Sequence, residues 1–458
     1  MTQTVSAAED ARAVPVAEAV PASGTQRGHV FYPWSAQGVI KPMMVASAEG
    51  SYFTDDAGKR YLDFSSQLVN TNIGHQHPKV VAGIKAQADL LCTISPLHAN
   101  RTRDEAARLI CELAPEGMNK VLFTCDGSEA VEHAARLARQ HTGRIKLLST
   151  YRSYHGSTTT ATNLTGEPRR WPNDYGSAGT VHFFGPFLYR SPFHAASEEQ
   201  ECARALQHLE QVVALEGPAT IAGIVLETVP GTAGIMPPPP GYLAGVREIC
   251  DRHGIVYIAD EVMAGFGRTG RWFAFENYGV VPDLVTFAKG VNSGYVPLGG
   301  VIISDAVAAS FEERVYAGGH TYSGHLLACG AAVATINAMK EERIVENAAF
   351  IGDKVLGPGL KELVDKHPSV GEVRGLGVFW ALELVKDKAT REPLAPYGGS
   401  SPAMADLLGA CKERGLVPFS QFNRVHAVPP CNVSESEARD GIAILDEALT
   451  VADAYCGG

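Results

Sequence analysis

The sequence predicts an α/β protein: a mostly parallel central sheet in a large domain, with a smaller α+β domain assembled from the N- and C-terminal segments. Three observations lead there. Short apolar, often β-branched runs (VLF, IAGIVLE, VYIAD, LVTFA) recur along the chain, and strands buried on both faces read as continuous apolar runs rather than alternating ones. Stretches of helix-forming residues separate these runs, as crossover connections of a parallel sheet require, which places reactive groups at its carboxyl edge. The length of 458 residues exceeds one simple core and implies two or three packed domains. The expected divisions are a leader at 1–28, an N-terminal segment of the small domain at 29–75, the large domain at 76–330, and the C-terminal part of the small domain at 331–458.

Bulk properties exclude several classes. The net charge of −11 and the lack of Lys/Arg clusters argue against a nucleic-acid or anionic-membrane surface. Nine cysteines are scattered singly from Cys92 to Cys456 without a CxxC pair, the pattern of reduced thiols in a cytoplasm rather than of disulfides or a zinc site. Residues 1–28 carry acidic residues and prolines with no continuous apolar core, so they read as a flexible leader and not a signal peptide. No run of roughly 18 apolar residues is present to span a membrane.

Taken in order, HVFYPWSAQ (29–37) is aromatic and irregular. GSYFTDDAGKRYLDF reads as a β-hairpin turning at Asp56, Ala57 and Gly58. His75 and His77 bracket a turn before a helix starting near Pro78, and two histidines alone make a poor metal site; no metal is expected. Asn100 to Leu113 is an amphipathic helix. Then VLF forms a strand, Asp126, Gly127 and Ser128 a turn, and Glu129 to Gln140 a helix ending near Gly143. A strand, a glycine turn and a helix N-terminus aim free N–H groups at an anion; the alternative is that Asp126 merely caps the helix. Residues 166–197, rich in Gly, Pro and aromatics, read as a long surface excursion. A helix from Glu198 to Leu215 precedes IAGIVLE, which ends in Glu227, and a crossover helix, Tyr242 to His253, leads to VYIAD, which ends in Asp260. GFGRTG (265–270) matches the dinucleotide fingerprint GxGxxG, but RWFAFENYG comes after it and not a helix, which removes the pyrophosphate seat. LVTFA leads to Lys289 and Gly290, YVPLGGVIIS forms another strand, and GGHTYSGH, with Thr321, opens a long alanine-rich helix. Beyond Glu342 come charged helices, then a hairpin in GEVRGLGVFWALELV and a last strand-and-helix unit.

Asp260 and Lys289 therefore end two buried strands. An unpaired ammonium there is costly, and an aspartate that can hold a heteroaromatic N–H beside a lysine is the minimal equipment for a Schiff base to pyridoxal phosphate (PLP). A plain Asp–Lys ion pair is the competing reading. The ordered motifs ADEVMAGFGRTG, TFAKG and GGHTYSGH resemble those of the class III (ω-amino acid) aminotransferases, which are fold-type I PLP enzymes. The resemblance runs from about Tyr52 to the C-terminus.

That resemblance implies a PLP-dependent transaminase moving an amino group from an ω-amino acid or primary amine to pyruvate or 2-oxoglutarate by a ping-pong mechanism. It implies catalytic roles for Lys289 and Asp260, phosphate contacts from Gly127 and Ser128, a ring stack from Tyr154, Glu227 close to the cofactor ring, and Thr321 reaching across a homodimer, or a tetramer as a dimer of dimers, to the neighbour's phosphate. Phe31, Trp34, Leu68 and Val69 would line the substrate pocket. The family usually has a small residue where Asp126 stands. Arg424, in QFNRVHAVPP, is the candidate carboxylate clamp, because a guanidinium fork suits that group; in many relatives the corresponding arginine would fall near Phe419. Alternatives are a PLP-dependent aminomutase, decarboxylase or epimerase, or a non-catalytic PLP-fold binding protein.

Overall fold

The structure, a computed structural model, describes residues 29–457 apart from Tyr175 and Ser177, so the expected leader at 1–28 lies outside the described residues. The chain divides into two compact units, one up to Met44 and one from Val45 onward. In the first, Gln37 folds back on Tyr32, accepting its N–H (3.0 Å) and donating to its carbonyl (2.6 Å). Phe31 and Trp34 are exposed there.

Among its described residues the second unit holds fifteen strands in chain order. Three come first: β1 (Val45–Glu49), β2 (Tyr52–Asp55) and β3 (Arg60–Phe64). Seven make up the middle group: β4 (Lys120–Thr124), β5 (Lys146–Thr150), β6 (Thr180–Phe183), β7 (Ile221–Glu227), β8 (Val256–Asp260), β9 (Leu284–Phe287) and β10 (Gly299–Ile303). The last are β11 (Val370–Leu376), β12 (Phe379–Asp387), β13 (Glu392–Pro393), β14 (Leu416–Gln421) and β15 (Arg424–Ala427).

The middle seven form one sheet in the order β4-β10-β9-β8-β7-β5-β6. Neighbours from β6 through β9 pair in parallel, and β10 runs antiparallel to both β9 and β4. Every residue of β7, β8, β9 and β10 is buried, as a sheet covered by crossover helices on both faces demands. Gly300 faces Phe287 across β10 and β9, and a Cβ on it would lie 2.5 Å from the phenyl Cζ; only glycine lets the ring lie over the neighbouring strand.

A second sheet has the order β1-β2-β3-β14-β15-β12-β11, with β13 on β12. The parallel pairing of β3 with β14, Leu62 opposite Leu416, joins chain ends some 350 residues apart. Arg268, fully buried, straps this sheet to the loop after β8. It donates to the carbonyls of Pro429 and Val378, to Asn72 Oδ1 (2.8 Å) and to Ser66 Oγ (3.2 Å). The arginine of GFGRTG is thus a structural tie, and the next element along the chain is a short 3-10 turn at Ala274–Tyr278, in keeping with the rejected dinucleotide motif.

Two details differ from expectation. The supposed surface excursion contains β6, an edge strand on β5; flanking Gly179 and the Gly185-Pro186 pair hide its four residues from any periodicity test. The helix expected from Glu129 starts two residues earlier and spans Gly127–Thr142, closed by Gly143 in the left-handed region (φ 69°). Asn100 caps the helix Arg101–Leu113 through its side chain. His75 bonds Asp63 (2.9 Å) while His77 bonds Glu342 (3.0 Å), and among the described residues no cluster of three metal-ligating side chains occurs. No described helix is long and apolar enough to cross a membrane.

Candidate active site

The carboxyl ends of β7, β8 and β9 meet in register, Glu227 beside Asp260 and Asp260 beside Thr286. Lys289 lies two residues beyond β9 with φ 43°, a conformation costly to a non-glycine residue and concentrated at functional sites. Its amine has no hydrogen bond or ion pair among the described residues. Burial pulls the ammonium below the ordinary lysine range, opposed by the Asp260 and Glu227 charges and reinforced by Arg169. A shift in that direction favours the neutral form that acts as nucleophile or base.

Asp260 is 4% exposed and firmly held. His155 Nδ1 donates to its Oδ2 (2.7 Å), while the Val262 amide and the Thr286 hydroxyl each donate to Oδ1 at 3.1 Å. Ser149 Oγ lies 3.1 Å from His155 Nε2 and completes the support. Three donors occupy three of the roughly four acceptor positions of a carboxylate, which leaves one for a further N–H. Glu227 sits alongside, accepting from the amides of Tyr154 (2.9 Å) and Gly231 (2.8 Å). Burial pushes its pKa up to about 7, with Asp260 adding to the raise and His155 opposing it.

The second half of the edge is the N-terminus of helix Gly127–Thr142. Asp126 caps the helix, its carboxylate accepting from the Glu129 amide (2.9 Å), and its charge is felt at Lys289. As the first two helical residues, Gly127 and Ser128 have amides with no intrahelical acceptor. Ser128 Oγ accepts from the Ser157 amide (3.1 Å). A Cβ on Gly156 would come 2.6 Å from Ser128 Oγ, and one on Gly127 would come 2.7 Å from Val262 Cγ1. A side chain at either position would collide with a residue packed against this helix start.

Tyr154 is half-buried, fixed through its amide on Glu227, and the Arg169 guanidinium lies 3.7 Å over its ring. Neither His155 nor Arg169 was singled out from the sequence. His155 had a signal, being adjacent to Tyr154 and preceding a glycine; Arg169 had none, since it arrives on the 3-10 turn Pro168–Asn173.

The remaining candidates are dispersed. Thr321 is exposed in the turn before the helix Leu326–Glu341. Leu68 is exposed, whereas Val69 is buried among Val229, Ile235, Ala264 and Phe379. Ser66, Gln67 and Val69 all have positive φ, and Asp63 holds the loop by accepting from Ser65 Oγ (2.6 Å), Gln67 Nε2 (2.9 Å) and His75. Arg424 is buried on β15. Phe31 and Trp34 belong to the unit before Val45.

Comparison with known proteins gives a consistent picture. The model of the aminotransferase class-III family matches residues 34–449. The chain is 34% identical to the 4-aminobutyrate aminotransferase of Escherichia coli, over 90% of this chain and 94% of that protein. Among solved structures, the taurine:2-oxoglutarate aminotransferase of Bifidobacterium kashiwanohense, in complex with PLP and glutamate, superposes with a TM-score of 0.90 at 40% identity, covering 93% of this chain and 96% of that one. An (S)-enantioselective omega-transaminase from Thermomicrobium roseum superposes with a TM-score of 0.87 at 35% identity, covering 93% and 96% respectively.

Proposed function

Because the chain belongs to the class III aminotransferases, it is a PLP-dependent transaminase of fold-type I, and we propose that Lys289 and Asp260 carry its chemistry. The enzyme moves an amino group from an ω-amino acid or primary amine to a keto acid. The observation that carries the residue assignment is the convergence, on one sheet edge, of an uncharged-prone amine, a carboxylate with one acceptor position to spare and a helix N-terminus. These match the aldehyde, pyridine nitrogen and phosphate of PLP, so the residues present fit the cofactor.

Bound there, PLP supplies the electron sink that makes a proton on the amine-bearing carbon labile. Lys289 would hold the cofactor through its aldehyde, and its amine, which burial pulls below the ordinary lysine range, would move the proton at the donor's amine-bearing carbon. Asp260, oriented by His155, Thr286 and the Val262 amide, keeps the pyridine nitrogen protonated. Gly127 and Ser128 bind the phosphate. Tyr154, with Arg169 over its ring and its backbone fixed by Glu227, would stand beside the cofactor ring.

A homodimer, alone or paired into a tetramer, would complete each site with Thr321 of the second copy. Phe31, Trp34, Leu68 and Val69 would form the pocket wall. The division at 29–75, 76–330 and 331–458 would let the small domain close over the sheet edge. A cytoplasmic setting agrees with nine cysteines that are free thiols in the structure. Relatives named for 4-aminobutyrate and taurine make ω-amino acids the first donors to try, with pyruvate and 2-oxoglutarate as acceptors. The test is optical: purified protein is expected to be yellow, to bleach with a donor and to recover its colour with a keto acid. A colourless protein that PLP does not turn yellow would reject the reading.

A further inference from the structure

Helix Gly127–Thr142 turns an apolar face of Ala130, Ala134, Leu137 and Ala138 into the protein, and one polar residue stands on that face, His133, 1% exposed. Both of its ring nitrogens are met by the same segment, the stretch that leads to Thr321. Nδ1 lies 2.5 Å from the Tyr316 hydroxyl and Nε2 lies 2.7 Å from His320 Nε2, the two imidazoles crossing at 81°. Burial, with His320 and Arg136 adding to it, holds the His133 pKa down to about 4. At about pH 7 the ring is therefore neutral, with one donor and one acceptor nitrogen, the set that these two partners can satisfy.

The segment needs such holds. Residues 315–320 have neither helix nor strand of their own, so side chains from other elements set their course. Arg136, also on the helix, donates to the Ala317 carbonyl (3.2 Å), and Glu129 Oε2 lies 3.6 Å from His320 Nε2. Arg103 donates to the Gly324 carbonyl at the far end (3.0 Å). Gly318 permits the close approach, since a Cβ there would stand 2.9 Å from Arg136 Nη1. Thr321 follows His320 directly and is exposed, and adjacent Cα atoms stay about 3.8 Å apart, so fixing the His320 ring restricts where Thr321 can be. His133 is five residues beyond Ser128, roughly 7.5 Å along the axis, yet its two bonds run to the turn and not to the helix start of its own chain.

We propose that His133 is a positioning residue that works for the neighbouring subunit: through Tyr316 and His320 it sets the turn whose Thr321 completes the phosphate site of the second copy. The inference rests on the reading of Thr321 as a contact made across a dimer. One helix then has two duties, binding phosphate at its start in its own site and steadying, from its middle, the residue that serves the other site.

The experiment follows PLP release from the holoenzyme as loss of its yellow band. His133→Leu keeps an apolar side chain in place but removes both nitrogens, and release should quicken about 5- to 50-fold, the size of two lost hydrogen bonds. The effect should not exceed that of Thr321→Ala, should vanish in a Thr321→Ala background because the two act in series, and should be partly reversed in His133→Gln, whose amide can reach His320. Hydrogen exchange of residues 315–323 should accelerate in His133→Leu while that of the helix stays the same. Mixing His133→Leu with Lys289→Ala subunits separates the two chains. The hybrid's yellow site belongs to the His133→Leu chain but is completed by an intact turn, so about half of the yellow sites should release at the wild-type rate. Hybrids in which every yellow site stays fast, additive effects in the double variant, or unchanged release in His133→Leu beside faster release in Thr321→Ala would overturn the proposal. Thr321→Ala releasing PLP at the wild-type rate would instead reject the dimer reading of Thr321, and unchanged exchange in residues 315–323 would reject the hold by His133 whatever Thr321 does.

Discussion

Glu227→Gln separates two opposing effects at one position. A carboxylic acid whose folded pKa is about 7 against an ordinary 4.5 binds its proton more tightly in the native state, so its contribution falls as pH rises from about 4.5 through 7 and is flat above. At 1.36 kcal/mol per pH unit, the full difference is about 3 kcal/mol, of which about 2.5 kcal/mol develops between pH 5 and pH 8. Glutamine never ionises, so that slope disappears. It also cannot accept with its NH₂, and the Tyr154 or Gly231 amide, now bonded at 2.9 and 2.8 Å, is left facing a donor at a cost of about 1–3 kcal/mol at every pH. The variant should therefore be less stable than wild type at pH 5 and close to it, or above it, at pH 8. Buried Glu261 is also raised to about 7, but it is common to both proteins and cancels. Denaturant unfolding of the holoenzyme at fixed protein and PLP concentrations, repeated across this range, measures the difference. Parallel stability curves would refute the reasoning.

The same geometry has other consequences. Asp126→Asn keeps an equally good helix cap but removes an anion beside the phosphate seat; PLP affinity by equilibrium dialysis should rise about two- to fivefold, exposed charges being screened, with the melting temperature little changed. His155→Leu strips a donor from buried Asp260 and should lower kcat about 10- to 100-fold, the weight of a bond to a charged group, in a protein that still turns yellow with PLP; stopped-flow half-reactions test it. Mixing Lys289→Ala with Thr321→Ala subunits should restore about a quarter of wild-type activity, since half the dimers are hybrids and each hybrid has one intact site of two; no recovery would mean that Thr321 serves its own chain.

The strand core was legible because burial on both faces leaves uninterrupted apolar runs, and a charged residue closing such a run can only stand at the sheet edge. That logic located Glu227, Asp260 and Lys289. It missed β6, whose four residues are too few to outweigh adjacent glycines and proline, and it started the helix after Gly127 and Ser128 because neither is a strong helix former; Asp126 as cap makes them its first turn. Partners that meet only in three dimensions left no trace in spacing: Arg169 over Tyr154, His155 on Asp260, and His133 on the Thr321 turn. Val69 shows the limit for pockets, because an apolar residue after a strand fits a cavity wall and a packed core equally well.

The central claim is that the amine of Lys289 carries the cofactor. Borohydride reduction of the yellow holoenzyme, then proteolysis and mass mapping, measures this directly. A pyridoxyl adduct on the peptide containing Lys289, and none on other lysines, is the expected result. An adduct elsewhere, or no adduct in protein that binds PLP, would contradict it.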